Sequence, residues 1–145
     1  MNNTDFGLLV IEDSQDDIRF LQDALQRVNL DYRMVHLDDG AEAIKFIRGE
    51  GHYSNTIHPH LVLLDLGLPK ASGIDVLRAL RNNEHFRHVP VIIMSSLPHR
   101  FNRVPLEELG AEMYWTKPTD AEGFDDLAES IRSIAAGFCA DSSAG

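Results

Sequence analysis

Three short runs of unbroken apolar residues constrain the fold of this chain more than any other feature of its sequence. They are LLVI at 8–11, LVLL at 61–64 and VIIM at 91–94. Runs of this length without polar alternation are typical of strands that are covered on both faces of a parallel sheet. Two more mixed segments, 32–37 and 112–116, fit edge strands with one wetter face. The sequence therefore predicts five strands.

Apolar residues at helical spacing fill the stretches between these strands. The pattern is clearest at Ile18, Leu21 and Leu25, where the spacing places one apolar stripe on one helix face. A hydroxyl residue followed by an acid three positions later marks three helix starts. These pairs are Ser14 with Asp17, Ser72 with Asp75, and Thr119 with Glu122. Alternating strands and helices predict an α/β fold: a doubly wound, five-stranded parallel sheet of the flavodoxin-like class, with strand order 2-1-3-4-5 and helices on both faces.

Length and charge narrow the classes of protein to which the chain can belong. Its 145 residues suit one domain, which we place at 1–137, with 138–145 as a flexible C-terminal tail and no output domain. Thirteen basic against 23 acidic residues give a net charge of −10, which argues against binding to nucleic acid or to anionic lipid. A single cysteine and the lack of a long apolar run favour a cytoplasmic protein without a membrane segment.

Acidic residues follow two of the predicted central strands. Glu12 and Asp13 come directly after the first strand, and Asp65 comes directly after the third. Because ligands bind at the carboxyl ends of parallel strands where the strand order reverses, we expect these three carboxylates to converge. Such a cluster needs a hard divalent cation, and Mg²⁺ is the cofactor it predicts. Other acids are interpreted as helix caps or solvated loop residues; these are Asp16, Asp17, Asp38 and Asp39.

A hydroxyl and an ammonium end the other two strands that point to this crevice. Ser95 follows the fourth strand and Lys117 follows the fifth. Beside a cation, these groups can hold the oxygens of a phosphoryl group, with Asp65 as the nucleophile of an aspartyl phosphate. Each of these residues alone has a common structural explanation, such as a turn for Ser95 or the protein surface for Lys117. The prediction of a phosphoryl site rests on their joint placement.

These residues, in this order, resemble the receiver domains of two-component response regulators over residues 6–136. The resemblance is carried by Glu12-Asp13, by DLGLP at 65–69 with Gly73 behind it, by Ser95 and by Lys117-Pro118. It implies that Asp65 accepts a phosphoryl group from a phosphohistidine of a sensor histidine kinase. It also implies that Mg²⁺ is held by Asp13, Asp65 and the Gly67 carbonyl, with Glu12 acting through water. Ser95 and Tyr114 would switch in response, Lys117 would pair with the phosphoryl group, and the Lys117-Pro118 bond would be cis.

Two segments resemble more narrowly the stand-alone receivers that serve phytochrome-type kinases. They are VIEDSQDD at 10–17 and DLGLPK at 65–70. The likeness implies a bacteriophytochrome as the kinase and a homodimer through the fifth strand and the fourth and fifth predicted helices. Charges of both signs on that face could pair across a two-fold axis; they are Arg100, Arg103, Glu122, Asp125, Asp126 and Glu129. Pro98 and Pro105 leave the shape of the fourth helix open.

Two alternative functions remain open at this point. One is a degenerate receiver that binds proteins without phosphorylation; such modules usually lack the acceptor, the lysine or the acidic pair. The other is a phosphatase similar to haloacid dehalogenases, which needs an acid two residues after the nucleophile, where this chain has Gly67. On this basis the chain is predicted to be a signalling phospho-acceptor and not an enzyme that turns over an external substrate. Seven histidines, among them His58 and His60, are interpreted as loop residues, and Trp115 as a packing residue.

Overall fold

A parallel sheet of five strands forms the centre of the molecule. The computed structural model describes residues 6–50, 58–67, 72–96, 110–118 and 120–144, with side chains as far as 137. The strands are β1 (Gly7–Ile11), β2 (Arg33–Leu37), β3 (Leu61–Asp65), β4 (Val91–Ser95) and β5 (Met113–Thr116). Their order is β2-β1-β3-β4-β5, and all four pairings are parallel. The predicted fold class and strand order are confirmed.

Helices cover both faces of the sheet. They are α1 (Gln15–Arg27), α2 (Gly40–Arg48), α3 (Gly73–Asn82) and α4 (Gly123–Ala144). The helix α4 is the fifth of the predicted helices, because the segment around Pro98 and Pro105 lies outside the described residues. Apolar residues of α1 and α4 share one core cluster, and those of α2 and α3 share the other. No helix in the described part of the chain is long and apolar enough to cross a bilayer.

The unbroken apolar runs are explained by burial on two sides. Every residue of β1, β3 and β4 is buried, whereas β2 and β5 contain exposed residues. Within β1, Leu8 and Val10 join the core under α1 and α4, while Leu9 and Ile11 join the core under α2 and α3. Since successive side chains of a strand point to opposite faces, a strand covered twice must be apolar throughout.

Two of the three predicted helix starts are confirmed. The Ser14 and Ser72 hydroxyls accept the backbone N–H groups of Asp17 and Asp75 at 3.2 and 3.1 Å. The third prediction is wrong: α4 begins at Gly123, after a turn in which the Asp120 carboxylate accepts the Gly123 N–H at 3.0 Å. Thr119 itself lies outside the described residues.

The backbone of α4 continues to Ala144, through most of the segment predicted as a tail. No glycine or proline occurs between Gly137 and Gly145, so no residue in this stretch interrupts a helix.

Arg81 connects α3 to the starts of the last two strands. Its guanidinium donates to the carbonyl oxygens of Val89 at 2.9 Å, Arg87 at 3.2 Å and Gly110 at 3.0 Å. Val89 precedes β4 and Gly110 precedes β5, so one side chain satisfies backbone acceptors in both connections. This arrangement fixes the two strands whose far ends carry Ser95 and Lys117.

Candidate functional site: an acidic cluster around one ammonium

The carboxyl ends of the strands bring the predicted acidic residues together. Glu12 and Asp13 follow β1, and Asp65 is the last residue of β3. One carboxylate oxygen from each of the three lies within 4.8 Å of the other two. Glu12 and Asp65 are buried, whereas Asp13 is exposed. The cluster therefore has a closed inner side and one edge open to solvent.

Lys117 reaches this cluster from the end of β5. Its Nζ lies 2.9 Å from Glu12 Oε2 and 3.1 Å from Asp65 Oδ2. The Lys117 N–H donates to the Ser95 carbonyl at 2.7 Å, which extends the β4–β5 pairing one residue past the strand. None of the described peptide bonds is cis, so the prediction for Lys117-Pro118 is wrong. The bond is trans, which is also the more common isomer of X-Pro bonds, and the ammonium contacts the carboxylates in this form.

Asp17 is a member of the site that the sequence interpretation missed. Its Oδ2 lies 2.9 Å from Lys117 Nζ, although Asp17 was assigned to capping. The neighbouring Asp16 is exposed and contacts Arg19 at 3.6 Å. Asp17 lies in the first turn of α1, the helix that follows Glu12 and Asp13, and this position could have indicated that it lies close to the end of β1. Asp39 is a cap as predicted: its carboxylate accepts the Glu42 N–H at 2.8 Å.

Burial sets the electrostatics of Glu12. Its side chain has no exposed surface, and the loss of hydration raises its pKa to about 8, helped by the charge of Asp65 and opposed by Lys117. Burial also disfavours the charged form of Lys117, but hydrogen bonds to Asp17 and Glu12, with the charges of Glu12 and Asp65, raise its pKa above the usual value. Glu12 therefore titrates near neutral pH while Lys117 stays an ammonium.

This shift predicts how stability changes with pH when no divalent cation is bound. Between the ordinary pKa of 4.5 and the folded value of about 8, the folded state holds a proton that the unfolded state has released. The free energy of unfolding should therefore fall as pH rises through this window, by up to about 1.4 kcal/mol per pH unit for one proton. Urea denaturation in EDTA at several pH values measures this slope. Glu12→Gln should remove it, and an equal slope in both proteins would contradict the assignment.

The three carboxylates fit a hard divalent cation. Oxygen ligands from acidic side chains, with several retained waters, are the usual surroundings of Mg²⁺ in proteins. Glu12 Oε2 is buried and accepts no hydrogen bond from the described residues, although the ammonium lies close to it. Asp13, at the exposed edge, leaves room for water. Glu12, Asp13 and Asp65 could therefore hold such an ion. Gly67 also lies beside the cluster, where its N–H donates to Asp65 Oδ1 at 2.8 Å.

Comparison with known proteins identifies the family. The sequence profile of the response regulator receiver domain matches residues 8–131. The chain belongs to this family. It is 31% identical over 127 residues to response regulator Rcp1 of Synechocystis sp., covering 88% of this chain and 86% of the relative.

Solved structures of other receivers agree with this assignment. A phosphorylated cyanobacterial phytochrome response regulator, RcpA, is similar with a TM-score of 0.82 and 29% identity, over 89% of this chain and 92% of that one. The Mn²⁺-bound form of Rcp1 is similar with a TM-score of 0.80 and 30% identity, over 88% and 92% of the chains. The resemblance to phytochrome response regulators is thus confirmed.

Close backbone packing positions Asp65 in this receiver. A Cβ atom on Gly73, the first residue of α3, would lie 2.5 Å from Leu66 Cα and 2.8 Å from the Asp65 carbonyl oxygen. These atoms belong to the backbone that follows β3 and have no rotamer by which to move away. Gly73 thus lets α3 begin directly against the segment that carries Asp65 and Gly67.

Gly73→Ala should lower the free energy of unfolding by about 1–3 kcal/mol, the range for overpacking a tight site. Gly137→Ala is the matched control, because it also lies in a helix but has no atom within 4 Å of the added Cβ. That control should stabilise the protein by up to about 1 kcal/mol through helix propensity. Urea denaturation of both variants measures the difference, and equal stabilities would disprove the steric role.

The two predicted switch residues lie at different depths. Ser95, at the end of β4, is 3% exposed. Tyr114, in β5, is half-buried and packs against the core cluster under α2 and α3. Their movement on phosphorylation stays a prediction. Trp115, the next residue, packs against the other core cluster, as interpreted from the sequence.

Histidines near the opposite end of the sheet have structural contacts. His60 Nδ1 accepts the Gly7 N–H at 2.9 Å, and the His58 ring stacks on Phe86 with ring centroids 5.2 Å apart. Among the described residues, only Glu12, Asp13 and Asp65 form a group of three side chains close enough together to hold a metal ion.

The acidic residues of α4 are partly paired within the chain. Asp125 Oδ1 lies 2.6 Å from the Arg27 guanidinium, and Glu129 lies 2.7 Å from Arg132. Two of the charges predicted to pair across a dimer axis therefore already have partners. Arg100 and Arg103 lie outside the described residues.

Proposed function

We propose that this receiver accepts a phosphoryl group on Asp65 and passes on a signal through conformational change and protein contact. One observation carries the proposal: the Asp65 carboxylate belongs to an acidic cluster that could hold a metal ion, and it also contacts an ammonium. Its Oδ2 is 3.1 Å from Lys117 Nζ, and its Oδ1 accepts the Gly67 N–H at 2.8 Å. Positioning and charge neutralisation of this kind are what phosphoryl transfer requires from a protein.

The transfer step balances with a phosphohistidine as donor. An oxygen of Asp65 attacks phosphorus, the P–N bond to the donor imidazole breaks, and the imidazole leaves with the electron pair. The Lys117 ammonium and the Ser95 hydroxyl stabilise the phosphoryl oxygens as charge moves onto them. When bound, Mg²⁺ held by Asp13, Asp65 and the Gly67 carbonyl, with Glu12 acting through water, would neutralise the same oxygens. The acyl phosphate carries about 1.5 to 2 negative charges where the carboxylate carried one, and this added charge would draw Ser95 inward and shift Tyr114.

A sensor histidine kinase is the donor that this chemistry and the family both favour. The phytochrome response regulators among the similar structures support a photosensor kinase of the bacteriophytochrome type. We also propose homodimerisation through β5 and α4, where Glu122 and Asp126 are exposed. Signalling of this kind fits a cytoplasmic protein.

The geometry does not favour the alternative functions. A module that binds partners without phosphorylation has no need for an acceptor, an ammonium and an acidic pair in contact, yet these groups meet here. A phosphatase of the haloacid dehalogenase type needs a general acid two residues after the nucleophile, and that residue is Gly67.

Intact mass spectrometry after incubation with acetyl phosphate tests the proposal. We expect one phosphoryl adduct that requires Mg²⁺ and is removed by hydroxylamine, as an acyl phosphate is. Phosphate release is measured in parallel, so that an adduct too short-lived to observe appears as Mg²⁺-dependent turnover. The absence of both adduct and phosphate release would overturn the proposed function.

A further inference from the structure

The hydrogen-bonding capacity of Lys117 is filled in this structure. An ammonium has three N–H donors. Three carboxylates lie around it: Nζ donates to Glu12 Oε1 and to Asp65 Oδ2, each at 3.1 Å, and lies 2.9 Å from Asp17 Oδ2. An oxygen of a phosphoryl group on Asp65 can therefore engage Lys117 only if one of these carboxylates gives up its contact.

The three carboxylates differ in what their release would cost. Glu12 has a side chain with 0% exposure, so water cannot replace the contact that it would lose with the ammonium. Asp65 carries the phosphoryl group and keeps it beside Lys117. Asp17 is 17% exposed and lies in the first turn of α1, where water and the helix N-terminus can stabilise the freed carboxylate. Asp17 is thus the partner that can be released most readily.

The local structure of α1 directs the Asp17 carboxylate to Lys117. In a complete capping box the acid would bond back to the N–H of the capping residue. Here the Ser14 N–H donates instead to Glu12 Oε1 at 3.0 Å. The Asp17 backbone N–H still bonds to the Ser14 hydroxyl at 3.2 Å, so the turn is fixed while the carboxylate pairs with the ammonium.

We infer that Asp17 is a positioning residue which holds Lys117 in the unphosphorylated protein and competes with the incoming phosphoryl group for its ammonium. The inference rests on the proposed function and deepens it. The contact between Asp17 and Lys117 must break before the phosphoryl group can engage the ammonium, so Asp17 slows formation of the adduct. Asp17 also favours loss of the adduct, because its carboxylate is available to take the ammonium back.

Asp17→Asn tests this role, with Asp16→Asn as the matched control. Both changes remove one negative charge from the first turn of α1, but Asp16 is 79% exposed and pairs only weakly with Arg19 at 3.6 Å. We expect Asp17→Asn to form the acetyl phosphate adduct roughly threefold to tenfold faster than the wild type, the effect of removing one partly exposed ion pair. The control should stay within about twofold.

Equilibrium binding separates positioning from a merely structural effect. Beryllofluoride with Mg²⁺ mimics the phosphoryl group, and the single tryptophan, Trp115, provides a fluorescence signal two residues from Lys117. Asp17→Asn should tighten beryllofluoride binding in the wild-type background and leave it unchanged in a Lys117→Met background, because the effect acts through the ammonium. A structural effect would persist in both backgrounds.

The outcomes distinguish this inference from the proposed function. If the wild type forms no adduct and releases no phosphate, the proposed function fails. If the wild type is phosphorylated but Asp17→Asn matches Asp16→Asn or reacts more slowly, the role of Asp17 alone is overturned. An increase that survives in the Lys117→Met background overturns it as well.

Discussion

Asp65→Asn is expected to abolish labelling by acetyl phosphate, with no adduct detectable under conditions that label the wild type. The amide is nearly the same size as the carboxylate and keeps an oxygen to accept the Gly67 N–H, now 2.8 Å from Asp65 Oδ1. It is a far weaker nucleophile toward phosphorus. The measurement is intact mass with and without Mg²⁺, followed by peptide mapping of the wild-type adduct.

A lower stability of Asp65→Asn should not account for its loss of labelling. The described site sets the carboxylates of Glu12, Asp13, Asp17 and Asp65 against one ammonium, and removing one negative charge relieves repulsion. In EDTA we expect the free energy of unfolding to stay the same or rise by about 1 kcal/mol.

Asp38→Asn provides the control for this variant. Asp38 is exposed and follows β2, a neighbouring strand, so the same chemical change occurs at a strand end outside the cluster. This control should label normally. An adduct that persists on Asp65→Asn would show that another residue is the acceptor.

Lys117→Met is expected to lower the free energy of unfolding by about 2 kcal/mol in EDTA near pH 9.5, because a buried carboxylate that loses its partner must either stay charged without it or take up a proton. The cause is Glu12, whose side chain is inaccessible and whose Oε2 lies 2.9 Å from the ammonium. The loss should shrink toward pH 7, because Glu12, whose pKa is about 8, is then protonated in the wild type as well. Adding Mg²⁺ should restore part of the stability, since a divalent cation replaces the lost positive charge.

Lys45→Met separates this effect from a general loss of positive charge. Lys45 is 56% exposed and lies 3.5 Å from Glu42, so its removal should change stability by less than about 0.5 kcal/mol. Denaturant titrations at pH 7 and pH 9.5, with EDTA and with Mg²⁺, compare the two variants. A loss in Lys117→Met that does not depend on pH or on Mg²⁺ would contradict the electrostatic explanation.

Much of the site could be predicted from local sequence patterns and from the strand order of the sheet. Apolar runs predict buried strands because both faces of a central strand are covered. The ends of parallel strands meet at one edge, so Glu12, Asp13, Asp65 and Lys117 could be placed together from their positions in the sequence. The hydroxyl caps at Ser14 and Ser72 are also local, since each bond spans three residues.

Contacts between distant segments could not be predicted in the same way. Asp16 and Asp17 are adjacent aspartates that the sequence does not distinguish. Only the approach of β5 to the first turn of α1 makes Asp17 a partner of Lys117. The turn at Asp120, which delays the start of α4, also belongs to the folded chain. Asp125 pairs with Arg27 across 98 residues, and no periodicity in either helix indicates that bond.

By itself, the sequence determined the fold, the edge of the sheet where the acidic cluster lies and the types of residue gathered there, because alternation, apolar patterning and strand ends are encoded along the chain. Only the tertiary structure decided which carboxylates contact the ammonium and how deeply each is buried. Glu12 shows the reason: its raised pKa comes first from lost hydration and then from Lys117 and Asp65, which are remote in sequence. Desolvation and charge proximity depend on three-dimensional packing, to which each distant segment contributes.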